Sequence, residues 1–138
     1  VVAHEVGHYK KKHIVTGTAL GILETGFMLF IFNFFITDIQ LFNVFGVTKT
    51  SAYCGLIFFG MLYSPVSILT SIFTTAMSRK NEFEADHYAK TTYNGVALEL
   101  ALKKLSVDSL SNLYPHPFYT FIHYSHPPLL KRLSALND

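Results

Sequence analysis

The chain has 138 residues, 50% of them hydrophobic and 14% charged, with 13 Phe, 8 Tyr and a formal net charge of +2. With no basic stretch beyond Lys10, Lys11 and Lys12, so small a charge excludes an electrostatic nucleic-acid footprint. The apolar excess also leans away from an ordinary soluble domain. The single cysteine, Cys54, cannot form an internal disulfide and lies in an apolar stretch, where its ordinary role is that of a small packing residue.

The chain opens on Val1 without a leader, and its first motif begins at His4, the pattern expected of a C-terminal catalytic fragment (1–138) of a longer multi-span protein. His4-Glu5-Val6-Gly7-His8 matches H-E-x-x-H. Residues four apart share a helix face, so two imidazoles can reach one metal ion. Glu5 then sits beside the ion without ligating it, placed to take a proton from a water whose pKa the metal lowers.

Residues 14–36 are apolar with Glu24 as their only ionisable group, and 52–77 carry no charge at all. At about 1.5 Å of rise per residue each run can cross a bilayer core once. The first is apolar all round and not striped, as a membrane span is and a surface helix is not. Residues 37–51 between the runs read as a short loop or re-entrant turn. Pro65 predicts a tolerated kink. Glu24, a carboxylate at span depth, is expected to face a wet cavity or a polar partner.

After Met77 the character changes to Ser78-Arg79-Lys80-Asn81-Glu82-Phe83-Glu84-Ala85-Asp86, a polar helix start outside the membrane. Asn94-Gly95 interrupts it, 96–105 form an amphipathic helix, a Pro-containing stretch follows, and 129–136 form a last short helix. The predicted fold is all-α: two spans at 14–36 and 52–77 with an extramembrane helical metallopeptidase core over 78–138.

Catalytic zinc commonly takes three protein ligands and leaves one position for water, so a carboxylate must return to the histidines. His8 precedes the first span and Glu82 follows the second, and two crossings bring the chain back to the side it left. Glu82 and Asp86 are four apart. Glu82 can ligate while Asp86 accepts a hydrogen bond from the far nitrogen of a ligand imidazole. Glu84 lies about 200° round the helix from Glu82, so it cannot share that face. The bland alternative is a solvated acidic cluster at a positive helix start.

Together these residues carry a resemblance. H-E-x-x-H followed by a basic stretch and His13, two apolar runs, Ser78-Arg79 leading to Glu82 and Asp86, and the tail Tyr124-Ser125-His126-Pro127-Pro128-Leu129-Leu130-Lys131-Arg132-Leu133 resemble the type I CAAX prenyl proteases over essentially the whole chain. The chain departs from that family's pattern at Tyr9, where Trp is common, and at Lys131, where an acidic residue is common. The resemblance implies zinc held by His4, His8 and Glu82, general base Glu5, supporting Asp86, and His126 and Arg132 near the scissile bond. His126 would then donate to the developing oxyanion. Arg132 would hold substrate backbone or carboxylate, or else complement the last helix electrostatically. His13, His87, His116 and His123 receive no role.

Lys10, Lys11, Lys12, Arg79 and Lys80 flank the runs on the catalytic side, against Lys49 alone in the connection, so the positive-inside tendency puts the site on the cytosolic face. The resemblance implies the endoplasmic reticulum membrane, with membrane lipid and a prenylated protein or peptide as partners, and further N-terminal helices to enclose the site. The activity expected is removal of the C-terminal tripeptide after the modified cysteine. Two rivals stand beside it: a membrane quality-control metallopeptidase of the same broad group, and a non-catalytic membrane scaffold.

Overall fold

The computed structural model describes residues 1–138 and contains helices and no strands. In chain order these are α1 (Val2–Lys10), α2 (His13–Thr37), α3 (Ile39–Val44), α4 (Ala52–Ala89), a π-helical turn (Lys90–Asn94), α5 (Gly95–Asp108), α6 (Pro117–His123) and α7 (Leu129–Asn137). The chain divides into two compact units, one made of Val1–Thr16 with Ser71–Asp138 and the other of Gly17–Thr70.

In the Gly17–Thr70 unit the contacts are aromatic. Phe59 meets Phe32 and Phe35 edge-on, and Phe45 stacks on Phe58 at 4.1 Å between ring centroids, with Phe42 almost wholly buried beside them. Edge-to-face and offset rings add to what their buried area supplies. Residues 37–51, expected as a loop, contain α3. Asp38 caps it by accepting from the Gln40 N–H at 2.8 Å, and Gly46, at φ +73°, lets the backbone turn after it. At Pro65 the helix continues. The proline cannot donate to the Met61 carbonyl, and Ser64 Oγ donates to that oxygen instead at 3.0 Å.

Helices α2 and α4 are each long and apolar enough to cross a membrane, and their most apolar windows are 0% and 6% buried by the rest of the chain. Such exposure is the reverse of what a core helix of a soluble protein shows. Exposed Ile22, Leu23, Phe30, Leu56, Ile57 and Leu69 illustrate it.

One expectation is corrected by α4. Ser78 does not begin a helix, because α4 runs unbroken from Ala52 to Ala89. Glu82, Glu84 and Asp86 therefore lie inside a running helix that continues into the π-helical turn, and the favourable acidic helix start does not exist. Their charge has to be balanced by other groups. The break expected at Asn94-Gly95 falls at the end of the π-helical turn, where Asn94 adopts extended backbone and its side chain accepts from the Ala97 N–H at 3.0 Å to start α5. Helix α6 follows the Pro-containing stretch, ahead of the last helix. Pro117 stands at its start and His116 Nδ1 accepts from the Phe118 N–H.

The site-bearing unit is built on a small core of Ala89, Leu98, Leu102 and Leu136, with Ala3 and Leu129 packed against it. Its tightest helix contact is α1 on α4. A Cβ on Gly7 would lie 3.1 Å from both the Cα and the carbonyl oxygen of Ala85 and 3.2 Å from Tyr88 Cβ, and Ala85 has no exposed surface. Backbone atoms cannot swing aside as a flexible side chain can. Replacing Gly7 by Ala gains about 1 kcal/mol of helix propensity but loses about 1–3 kcal/mol to overpacking. Gly7→Val is expected to lower the thermal unfolding midpoint in detergent, with Gly7→Ala falling between it and the parent; unchanged midpoints for both would contradict the close contact.

Candidate metal centre

His4 and His8 stand one turn apart on α1, facing the last turns of α4. Their Nε2 atoms lie 3.2 Å apart. The Glu82 carboxylate closes the triangle, with Oε2 3.5 Å from His4 Nε2 and Oε1 3.4 Å from His8 Nε2. Donors bound at about 2.0–2.2 Å to a tetrahedral ion sit about 3.3–3.6 Å from one another. Each imidazole nitrogen thus has a different Glu82 oxygen near that separation, one donor atom from each of the three residues lies within 4.8 Å of the others, and these donor types fit the metal that the motif implies.

Behind the triangle a set of charge-assisted bonds fixes it. His4 Nδ1 lies 2.9 Å from Asp86 Oδ1, a contact in which the imidazole N–H donates to the carboxylate and leaves Nε2 with a free lone pair. Arg132 holds Asp86 with both arms of its guanidinium, Nε to Oδ2 and Nη2 to Oδ1, each at 2.7 Å, and its Nη1 reaches Glu82 Oε2 at 3.2 Å. All four of these side chains are nearly buried. Two carboxylates face one guanidinium, so the cluster keeps a formal negative charge that attracts a cation.

Burial pushes the Asp86 carboxyl up, but the Arg132 and His4 hydrogen bonds and the Arg132 charge outweigh it and hold the group below its ordinary value of 3.8. Burial likewise opposes the charge of Arg132, and its bonds to Asp86 with the nearby carboxylates raise its pKa above the usual value. The His8 imidazole is held low, first by burial and then by the charge of His4 against the opposing pull of Glu82, which favours the neutral form that a metal ligand must have.

His126 Nδ1 approaches Glu82 Oε1 at 3.1 Å while two-thirds of its side chain stays exposed. Glu5 is exposed and opens, with His4, His8, Glu82, His126 and Arg132, onto a cavity of about 720 Å³. All seven residues singled out in the sequence are thus in one place, with the Arg132 guanidinium engaged by Asp86 and Glu82 of α4.

Three residues given no site role in the sequence also belong here. His13 Nδ1 lies 3.1 Å from His8 Nδ1, and His13 Nε2 lies 3.3 Å from Glu84 Oε2. Arg79 Nη1 donates to the Tyr124 carbonyl at 2.5 Å and to the Thr120 carbonyl at 3.3 Å, clamping the end of α6 just ahead of His126. For Arg79 the signal was its place in the string before Glu82. For His13 the linear spacing concealed it.

A helical unit that aims an H-E-x-x-H pair and a distant glutamate at one point has the build of a metallopeptidase core. Comparison with known proteins agrees: the chain matches peptidase family M48 over residues 1–138, and it belongs to that family. It is 39% identical over its whole length to the CAAX prenyl protease 1 homolog of Oryza sativa subsp. japonica. Over 99% of its length it is 36% identical to the Homo sapiens homolog and 32% identical to CAAX prenyl protease 1 of Saccharomyces cerevisiae. These alignments cover 32%, 29% and 34% of the respective relatives, so the chain spans about a third of their length. The crystal structure of S. mikatae Ste24p superposes with a TM-score of 0.88 at 32% identity, covering all of this chain and 36% of that one.

The Asp86 pair sets the acid limit of the unit. Because the folded value is depressed, its contribution to stability is full above pH 3.8 and is lost as pH falls through the folded value. Arg132→Leu removes the strongest influence that depresses it and leaves burial, which raises it, opposed by His4 alone. The metal-free variant is expected to lose about 3–5 kcal/mol at neutral pH and to unfold at higher pH on acidification. Circular dichroism at 222 nm during acid titration checks this, and an unmoved midpoint would contradict it.

Proposed function

We propose that this chain is the catalytic part of a zinc-dependent endopeptidase that removes the C-terminal tripeptide from prenylated CAAX proteins. The convergence of His4 Nε2, His8 Nε2 and the Glu82 carboxylate carries the proposal. The names of the relatives supply the substrate class.

Zinc bound there supplies a Lewis acid and lowers the pKa of water toward neutrality. The chain's own residues do the remainder. Glu5 lines the cavity beside the histidines and takes the proton of the attacking water, then delivers it to the leaving amine. His126, on the rim and largely exposed, donates to the oxygen on which charge develops, and Arg79 holds the segment that carries it. Asp86 fixes the tautomer of His4, while Arg132 keeps Asp86 charged and holds both Asp86 and Glu82 in place. The exposed apolar faces of α2 and α4 lie in lipid. By the basic residues around the site, it faces the cytosol, in the endoplasmic reticulum membrane where this reading places the substrate. The further N-terminal helices expected from the sequence would enclose the cavity.

The test compares a farnesylated CAAX peptide with its unmodified twin, using the whole protein purified in detergent. Cleavage of the farnesylated peptide between the modified cysteine and the next residue is expected, with Glu5→Gln lowering kcat about 10²–10⁴-fold. Equal cleavage of the unmodified peptide would remove the prenyl specificity, and an unaffected Glu5→Gln would remove the mechanism.

A further inference from the structure

His4 and His8 are the two imidazoles of one motif, yet they are backed differently. His4 leans directly on Asp86. No carboxylate reaches the far nitrogen of His8, and that nitrogen meets His13 instead, Nδ1 to Nδ1 at 3.1 Å, with His13 Nε2 then 3.3 Å from Glu84 Oε2. The rings of His8 and His13 stand edge to face, 5.0 Å between centroids and 77° between planes. His13 is buried, with 7% of its side chain exposed, while Glu84 is at the surface with 38%.

The hydrogen positions follow from what each atom can do. A ligand at His8 Nε2 must offer a lone pair there, so the hydrogen of a neutral His8 sits on Nδ1 and donates to His13 Nδ1. His13 accepts at Nδ1 and so carries its own hydrogen on Nε2, which donates to Glu84. The chain ends on a group that only accepts. One tautomer at each ring satisfies all three partners, and the other tautomer of His13 would turn an N–H toward the N–H of His8.

The backbone goes out of its way to make this contact. In one continuous helix a residue five places on lies about 140° round from His8. The helix stops at Lys11, and Lys12 takes φ +59°, a left-handed conformation that a lysine seldom adopts. Lys12 N still donates to Tyr9 O, and Thr16 N to Lys12 O, so the reversal is a closed turn between α1 and α2 that brings His13 back onto His8.

We propose that His13 is a positioning residue that, with Glu84, holds His8 in the tautomer and orientation required to bind the metal. The proposal rests on the metal reading of His4, His8 and Glu82. Its test measures zinc affinity of the whole protein in detergent by competition with a chromophoric chelator, and separately the unfolding temperature of the metal-free protein. His13→Leu and Glu84→Ala are expected to weaken zinc binding about 10–100-fold. His13→Asn, whose carbonyl oxygen can accept where Nδ1 does, is expected to restore most of the affinity that Leu loses. Because the Glu84 carboxylate is at the surface, Glu84→Ala leaves the metal-free unfolding temperature near the parent's, so its effect is readable even if His13→Leu does not fold. Parent-like affinity in Glu84→Ala and His13→Leu, or loss in His13→Asn as deep as in His13→Leu, would overturn the proposal. A parent protein that binds no zinc would overturn the metal reading itself; zinc binding lost in His4→Ala but kept in the His13 and Glu84 variants would overturn this inference alone.

Discussion

Two imidazole nitrogens 3.2 Å apart, each within 3.5 Å of a carboxylate oxygen in a nearly buried setting, repel unless something positive stands among them. That requirement organises the site-bearing unit. Arg132 answers part of it by gripping Asp86 with two bonds and Glu82 with one, but a single guanidinium against two carboxylates leaves charge over. The remaining place is the point to which His4, His8 and Glu82 are all turned. Placing those carboxylates inside a running helix, away from any positive helix start, leaves that demand undiminished.

Holding such an arrangement needs close packing as well as charge. Gly7 sits between the two histidines in sequence, and its lack of a side chain allows α1 to lie against the backbone of α4 at Ala85, between Glu82 and Asp86. The same residue spacing that presents His4 and His8 on one face thus also presents the notch that brings them near the carboxylates. Leu98, Leu102 and Leu136 then fasten α5 and α7 to the core, and α7 delivers Arg132.

Local patterns were the legible part. Two histidines four apart, span-length apolar runs and a carboxylate pair at helical spacing each follow from one helix's geometry, and the two long apolar helices stand within a residue or so of the predicted starts. What was not legible depends on breaks and on distance. The polar stretch after Met77 reads as a new helix because composition changes there, yet nothing in Ser78-Arg79-Lys80 stops a helix already running. His13 reads as a surface residue because its spacing from His8 is wrong for a straight helix, and the left-handed Lys12 has no glycine or asparagine to announce it. Arg132 lies 46 residues from Asp86, so its engagement could only be seen once the tail was folded back. Helices α3 and α6, at six and seven residues, are too short for a period to declare itself.

In the proposed metallopeptidase two imidazoles and one carboxylate hold a single zinc ion. X-ray absorption at the zinc edge, on the whole protein purified with its metal, reads this directly. A shell of nitrogen and oxygen donors near 2.0–2.1 Å with the multiple-scattering pattern of two imidazoles is the predicted spectrum, reduced to one imidazole in His8→Ala. Sulfur in the first shell, or a spectrum indifferent to His8→Ala, would contradict it.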